Sequence, residues 1–165
     1  MISVLISTLN DEAVLGRALM GLTSAAVGGL VSEVIVADGG STDATLEVAD
    51  DAGCTLIAGE GTPGARLRAA SAAAKRDWLL VLDPAAWLQP GWEGVALGHI
   101  DAFPGRAAYF PLVSQGLAAW VWSAAAGFRG QPAKALLTPR PIYDPDKAPK
   151  GARRLQSGLL LTRRG

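Results

Sequence analysis

The sequence predicts an α/β fold, a mostly parallel sheet flanked by helices in a single domain, and three observations carry that expectation. Four short apolar runs alternate with three segments of helical period before residue 83, the order that builds parallel strands joined by crossover helices. The second run, Val34-Ile35-Val36-Ala37, ends at Asp38, passes through Gly39 and Gly40, and opens on Ser41, Thr42 and Asp43, all helix-capping types. The chain has 165 residues, half of them hydrophobic and 18% charged, which suits one domain with a sizeable core.

Taken in order, residues 2–7 form an apolar run bounded by Thr8 and Asn10 and read as the first buried strand. Asn10 is the expected N-cap of the next helix, with Asp11 and Glu12 in its first turn. Val14, Leu15, Ala18, Leu19 and Leu22 recur at helical spacing, and the helix is expected to fade over residues 25–28. Residues 33–37 make the second strand. The second helix is expected over residues 43–52, with Leu46 and Ala49 inward and Gly53 as its stop. Residues 54–58 read as a third strand. A glycine-rich loop, 59–64, leads to an alanine-rich helix over 65–75, and residues 78–82 form a fourth strand that ends at Asp83.

Beyond the fourth strand, residues 107–128 carry no charged side chain but include Tyr109, Phe110, Trp120, Trp122 and Phe128. Prolines, glycines and polar residues interrupt this run, so a strand over 107–113 and an amphipathic helix over 115–126 are expected rather than a membrane span. The tryptophans of that helix serve the core, a homodimer surface or an interfacial membrane anchor. His99, the sole histidine, falls in a helix after Trp92 with no partner cluster, which predicts a core or surface histidine rather than a ligand.

The charges are unevenly spread. Residues 1–128 hold six basic and thirteen acidic side chains, whereas 129–165 hold nine basic and two acidic. That split argues against nucleic acid as a partner. The basic tail either meets the acidic body, a phosphate or an anionic surface, or is simply solvated. Cys54 is the only cysteine, which excludes an internal disulfide and a cysteine metal cluster and favours a reducing compartment. The start lacks a basic leader, so a cytoplasmic protein is expected, peripheral to the inner face of the membrane if the apolar segment touches lipid.

Asp38 stands where open α/β sheets form their ligand crevice, outside the carboxyl ends of the strands. There it either faces a ribose hydroxyl or a base N–H, or together with Ser41 caps the following helix.

Five pieces carry a family resemblance: residues 6–12 (ISTLNDE), 36–43 (VADGGSTD), 66–77, 82–85 (LDPA) and 88–92 (LQPGW). In this order the chain resembles the inverting family 2 glycosyltransferases of GT-A type (Rossmann-like), close to the small radical-SAM-associated group. The resemblance implies a nucleotide-sugar-binding half over 1–92 and a truncated acceptor half with the basic tail over 93–165. It also implies transfer of a sugar from a nucleotide-diphospho-sugar to a hydroxyl acceptor, lipid-linked if the tryptophan helix meets a membrane. Nucleotide contacts are implied for Thr8, Asn10, Asp11, Asp38, Gly39, Arg68 and Asp83.

The departures are as informative as the matches. The family holds a divalent cation, manganese or magnesium, with an Asp-x-Asp pair after the fourth strand. Here the pair is reduced to Asp83, because Ala85 stands at the second position. One carboxylate with phosphate oxygens and waters holds such an ion more weakly. When metal is weakened, preorganised cations can offset the charge of a leaving diphosphate, which brings forward Arg66, Arg68, Arg153 and Arg154. The family's acidic base is also missing before Arg153-Arg154-Leu155. Asp144 and Asp146, the only acids in the tail, either replace it or are surface turn residues. Two further readings follow from these losses: a nucleotide-sugar-binding protein without catalysis, and a structural subunit that dimerises through residues 115–126.

Overall fold

The computed structural model describes residues 1–111, 135–156 and 159–161, the last three through the backbone alone. The helix expected over 115–126 lies outside the described residues. The chain runs β1 (Ile2–Thr8), α1 (Glu12–Met20), α2 (Thr23–Val27), β2 (Val31–Asp38), α3 (Thr45–Asp51), β3 (Thr55–Ala58), α4 (Pro63–Ala73) and β4 (Trp78–Leu82). It continues through β5 (Ala86–Leu88), α5 (Trp92–Ala102), β6 (Ala108–Tyr109), β7 (Ala135–Pro139), a 3-10 turn (Arg140–Ile142), β8 (Arg153–Arg154) and β9 (Leu159–Leu161).

Seven strands form one sheet in the order β3-β2-β1-β4-β7-β6-β8, and β5 pairs with β9 in a separate ribbon. β3, β2, β1 and β4 are parallel, with Thr8 opposite Asp38 and Ile6 opposite Leu82. β7 joins β4 antiparallel, Leu80 facing Leu137. This is the expected mostly parallel sheet flanked by helices.

The alternation of side chains along the strands divides the core. Ile2, Val4, Ile6, Leu80 and Leu82 meet Leu15 and Leu19 of α1, Ala49 of α3, and Trp92 and Ala96 of α5. Leu5, Ile35, Ala37 and Leu79 turn to the other face, where Ala70 and Ala74 cover them together with Tyr143. Fully burying each leucine or isoleucine is worth roughly 1.5–3 kcal/mol. The central strands can be apolar throughout because both of their faces are covered.

Several local expectations are corrected. Asn10 is not the N-cap of α1: it adopts a left-handed backbone (φ 55°) and Asp11 takes the cap position. Asparagine tolerates that conformation, which turns the chain sharply out of β1. The first helix breaks at Gly21, so its expected continuation is the separate α2, although Val14, Leu15, Ala18, Leu19 and Leu22 are all buried as expected. α3 is shorter than expected. Thr45 fills the inward position near its start, leaving Leu46 exposed, while Ala49 is fully buried. Gly53 does stop this helix, with φ 71° and a hydrogen bond from its N–H to the Asp50 carbonyl (2.8 Å). Of the strand expected over 107–113, residues 107–111 are described, and among them only Ala108 and Tyr109 are in strand. The Phe110 N–H still reaches the Ala135 carbonyl (3.1 Å), and Pro111 has no N–H to continue the ladder.

Candidate functional site

The carboxyl ends of β1 and β2 carry a dense polar network centred on Asp38, which is only 3% exposed. Its Oδ1 accepts from the Thr8 hydroxyl (2.9 Å) and the Ser41 hydroxyl (2.5 Å). Its Oδ2 accepts from the backbone N–H groups of Gly40 (2.8 Å) and Ser41 (2.7 Å). Burial pushes this carboxyl up, but the four donated bonds outweigh it and hold Asp38 below the usual carboxylate range. Ser41 therefore does not cap α3. It locks the turn onto Asp38.

The loop after β1 is fastened to this turn. The Asn10 N–H donates to Ser41 Oγ (2.8 Å), and Asn10 Oδ1 accepts the Thr42 N–H (2.8 Å). The Asp11 N–H donates to Thr45 Oγ1 (2.8 Å), and Leu9 N–H donates to Asp11 Oδ2 (3.1 Å). Glu12 and Asp43 exchange support: the Glu12 N–H donates to Asp43 Oδ2 (3.2 Å), and Glu12 Oε2 accepts the Ala44 N–H (2.7 Å). Thr8, Asn10, Asp11, Asp38 and Gly39 thus come together at one edge of the sheet, held by side chains from both loops.

Arg66 enters the same edge from α4 and is 5% exposed. Its Nε donates to Ser7 Oγ (2.9 Å) and its Nη1 to the Gly61 carbonyl (2.8 Å). The glycines around it make room. A Cβ on Gly39 would fall 2.5 Å from Arg66 Nη1, and one on Gly59 would fall 2.8 Å from Arg66 Cγ. The guanidinium therefore lies across the ends of β1 and β2 and the loop after β3. Its position was readable in sequence only through the glycines at 39, 59 and 61, since an arginine in an alanine-rich helix otherwise reads as solvated.

Arg68 behaves differently. It is more than half exposed and ion-paired with Asp146, which is equally exposed. This pairing arises because the chain after β7 doubles back along α4. Arg140 Nη1 donates to the Ala74 carbonyl (2.6 Å) at the end of the helix, and Asp146 arrives beside Gly64 at its start. Asp144 accepts from Lys147 Nζ (2.7 Å) and from the Asp146 N–H (3.0 Å), and the Lys147 bond holds its carboxyl below the usual range. Tyr143 packs against α4 between them. Burial and the nearby Asp146 push its phenol well above the usual range.

Arg153 and Arg154 do not join the crevice. They lie on β8, four strand spacings from β1 across the sheet, roughly 19 Å at the usual interstrand distance. The Arg153 guanidinium instead sits 3.8 Å from the Phe103 ring centroid, a cation–π contact. Phe103 stacks on His99, whose Nε2 lies 2.7 Å from the Arg106 carbonyl, so His99 is a core residue as expected.

Asp83 follows β4 at the same edge as Asp38. Its Oδ1 accepts the Ala85 N–H (2.9 Å), its carbonyl accepts the Ala86 N–H (2.8 Å), and Pro84, Ala85 and Ala86 are buried. A methyl group occupies the place of the second carboxylate. Among the described residues no three His, Cys, Asp or Glu side chains gather into a ligand set. A carboxylate-pair cation site does not fit these donors. A groove of about 470 Å³ between the α1–α2 and β5–α5 junctions shares no lining residue with the crevice. There Trp87 packs on Gly21, and Ser24 Oγ donates to Glu93 (2.5 Å).

A mostly parallel sheet whose loops converge on a buried carboxylate and a buried arginine at its carboxyl edge defines an open α/β protein with its candidate crevice where such sheets receive ligands. The Glycosyl transferase family 2 profile matches residues 3–148, and the chain belongs to that family. No curated protein matches it significantly. Among solved structures, it is similar to glucosyl-3-phosphoglycerate synthase from Mycobacterium tuberculosis in complex with Mn2+, UDP and glucosyl-3-phosphoglycerate. The TM-score is 0.65 at 24% identity, covering 86% of this chain and 57% of that one. The same synthase with Mn2+ and UDP-glucose gives the same values. S. aureus TarS 1–349 aligns with a TM-score of 0.58 at 20% identity over 70% of this chain and 37% of that one. The chain thus spans little more than half the length of the synthase, and these likenesses establish the GT-A fold.

Proposed function

We propose that this chain binds a nucleotide-diphospho-sugar in the crevice at the ends of β1, β2 and β4 and transfers the sugar, with inversion, to a hydroxyl acceptor. The observation that carries the reading is the Asp38 network with Arg66 beside it. Two loops are fastened together at the edge where open α/β sheets receive nucleotides. In this reading residues 1–92 form the donor half and the remainder the acceptor half. The complexes of the synthase with UDP and UDP-glucose support a donor of that class.

The residues divide the work. Asp38 keeps the turn rigid, so that Gly39, Gly40 and the Thr8 end of β1 present a fixed floor to the nucleoside. Asn10 and Asp11 line the adjoining loop. Asp83, at the end of β4, faces the ribose or the sugar diphosphate. A general base must lie within hydrogen-bond reach of the acceptor proton. Asp144 and Asp146 are poor bases because each carboxylate already has a cationic partner, Lys147 and Arg68 respectively.

That last observation, together with Ala85, favours a second reading in which the chain binds nucleotide sugars but transfers them slowly or not at all. Incubation with UDP-glucose and other nucleotide sugars together with a panel of hydroxyl acceptors, phosphoglycerate, glycerol phosphate and simple sugars among them, with free nucleoside diphosphate as the readout, tests both. Tight binding with release over many turnovers supports the enzyme. Tight binding without release supports the binding protein, and absence of binding refutes both readings. No helix among the described residues is long and apolar enough to cross a membrane. A cytoplasmic location, with residues 115–126 making a dimer or lipid contact, completes the proposal.

A further inference from the structure

We infer that the diphosphate of the donor is held in this chain by the Arg66 guanidinium, with no protein-held divalent cation contributing to its binding. The inference rests on the reading of the crevice as the donor site and deepens it.

Three observations converge on this assignment. First, the position after β4 that would supply the second oxygen ligand is the buried methyl of Ala85. Asp83 is turned into its own β-turn through the Ala85 and Ala86 N–H groups. A hard divalent cation prefers several oxygen donors, and the described residues offer no cluster of them. Second, the same edge carries a fixed cation. Arg66 is 5% exposed, its Nε and Nη1 are aimed by Ser7 and Gly61, and its Nη2 has no hydrogen bond among the described residues. Third, the cradle is built for it, because any side chain at Gly39 or Gly59 would collide with it.

An arginine suits this task chemically. Its planar fork meets phosphate oxygens, it stays protonated at every working pH, and a preset cation in a dry site needs little reorganisation when charge develops. Arg68, which the resemblance places near the nucleotide, is instead exposed and committed to Asp146. Arg153 and Arg154 are on the far edge of the sheet.

The test is equilibrium binding of UDP, GDP, ADP and CDP by calorimetry, in chelator and with Mn2+, to the full chain and to Arg66→Lys. The expected result is that at least one nucleotide binds in chelator and that Mn2+ changes its affinity by less than fivefold. Arg66→Lys, which keeps the charge but loses the fork, then binds at least fivefold more weakly. Should Arg66→Lys lose its folded circular dichroism signal, Ser7→Ala, which removes the acceptor that aims Nε, replaces it and should also bind at least fivefold more weakly. A gain of fivefold or more on adding Mn2+ to the wild type, or unchanged affinity in the arginine or serine variant, overturns the inference while leaving the donor site standing. Failure of every nucleotide under both conditions overturns the donor site itself, and the inference with it.

Discussion

Replacing Asp38 separates its charge from its hydrogen-bonding geometry. In Asp38→Asn the side-chain oxygen can still accept from the Gly40 and Ser41 N–H groups. The new amide nitrogen would face the Thr8 and Ser41 hydroxyls, which can rotate to accept. Four bonds survive without charge assistance, and the desolvation of a buried carboxylate no longer opposes folding, so the net loss should be about 1–2 kcal/mol. In Asp38→Ala two backbone N–H groups lose their acceptor outright at about 1–3 kcal/mol each, a total near 4 kcal/mol. For a chain of this length each kcal/mol lowers Tm by about 2–4 °C, so thermal unfolding should fall by about 2–8 °C in the first variant and about 8–16 °C in the second. The pH dependence adds a second check. Because the folded pKa of Asp38 is depressed, its stabilisation is present above the unfolded value of about 3.9 and is lost as the pH falls through the folded one. Wild type should therefore lose stability below about pH 4 more steeply than Asp38→Asn. Equal melting temperatures for the two variants, or parallel acid profiles, would refute the network as the source of stability.

Three other outcomes follow from the geometry. Gly39→Ala places a methyl 2.5 Å from Arg66 Nη1 and should cost about 1–3 kcal/mol in thermal melts; an unchanged Tm would mean the guanidinium can move aside freely. Gly53→Ala meets no atom within 4 Å, so its cost should be the backbone strain of φ 71° alone, about 1–2 kcal/mol, and Gly53→Asn should recover part of it. Burial pushes the Cys54 thiol up to about 11. Ellman's reagent at pH 8 should accordingly label it slowly until denaturant is added, and complete labelling of the native protein within minutes would contradict that burial.

What the sequence made readable was largely local. Apolar runs bounded by capping residues located β1, β2 and β4, because strands covered on both faces leave an unbroken apolar signature. Gly53 was equally plain, but the start of α4 was not: the glycines at 59, 61 and 64 read as loop through residue 64, whereas Thr62 caps the helix, its hydroxyl accepting the Ala65 N–H (3.2 Å), and Pro63 opens it two residues earlier than expected. The composition of the crevice was legible through Asp38 and its glycines, but the use of that carboxylate was not. Whether Asp38 faces a ligand or a turn depends on which donors converge on it, and Thr8 comes from a strand thirty residues earlier. Asn10 shows the same limit: its type suits both a helix cap and a left-handed turn, and only the closeness of Thr42 decides between them. Arg66 and Arg68 are neighbours with opposite fates, set by a glycine cradle on one side and by the returning Asp146 on the other. β7, β8 and β9 were missed because their short runs gain partners far away in the chain.

The antiparallel pairing of β4 with β7 has a consequence for how the protein is made. The ribosome delivers Trp78-Leu79-Leu80-Val81-Leu82 more than fifty residues before Ala135–Pro139 emerges to cover its outer edge. During that interval β4 is a terminal strand whose unpaired N–H and C=O groups and leucine side chains resemble the edges through which nascent chains stick to one another. A fragment ending at residue 92 would carry that edge permanently and is expected to aggregate, even though it contains nearly all of the candidate crevice. Residues 135–139 thus protect the donor half from its own siblings, a task separate from any contact with nucleotide or acceptor.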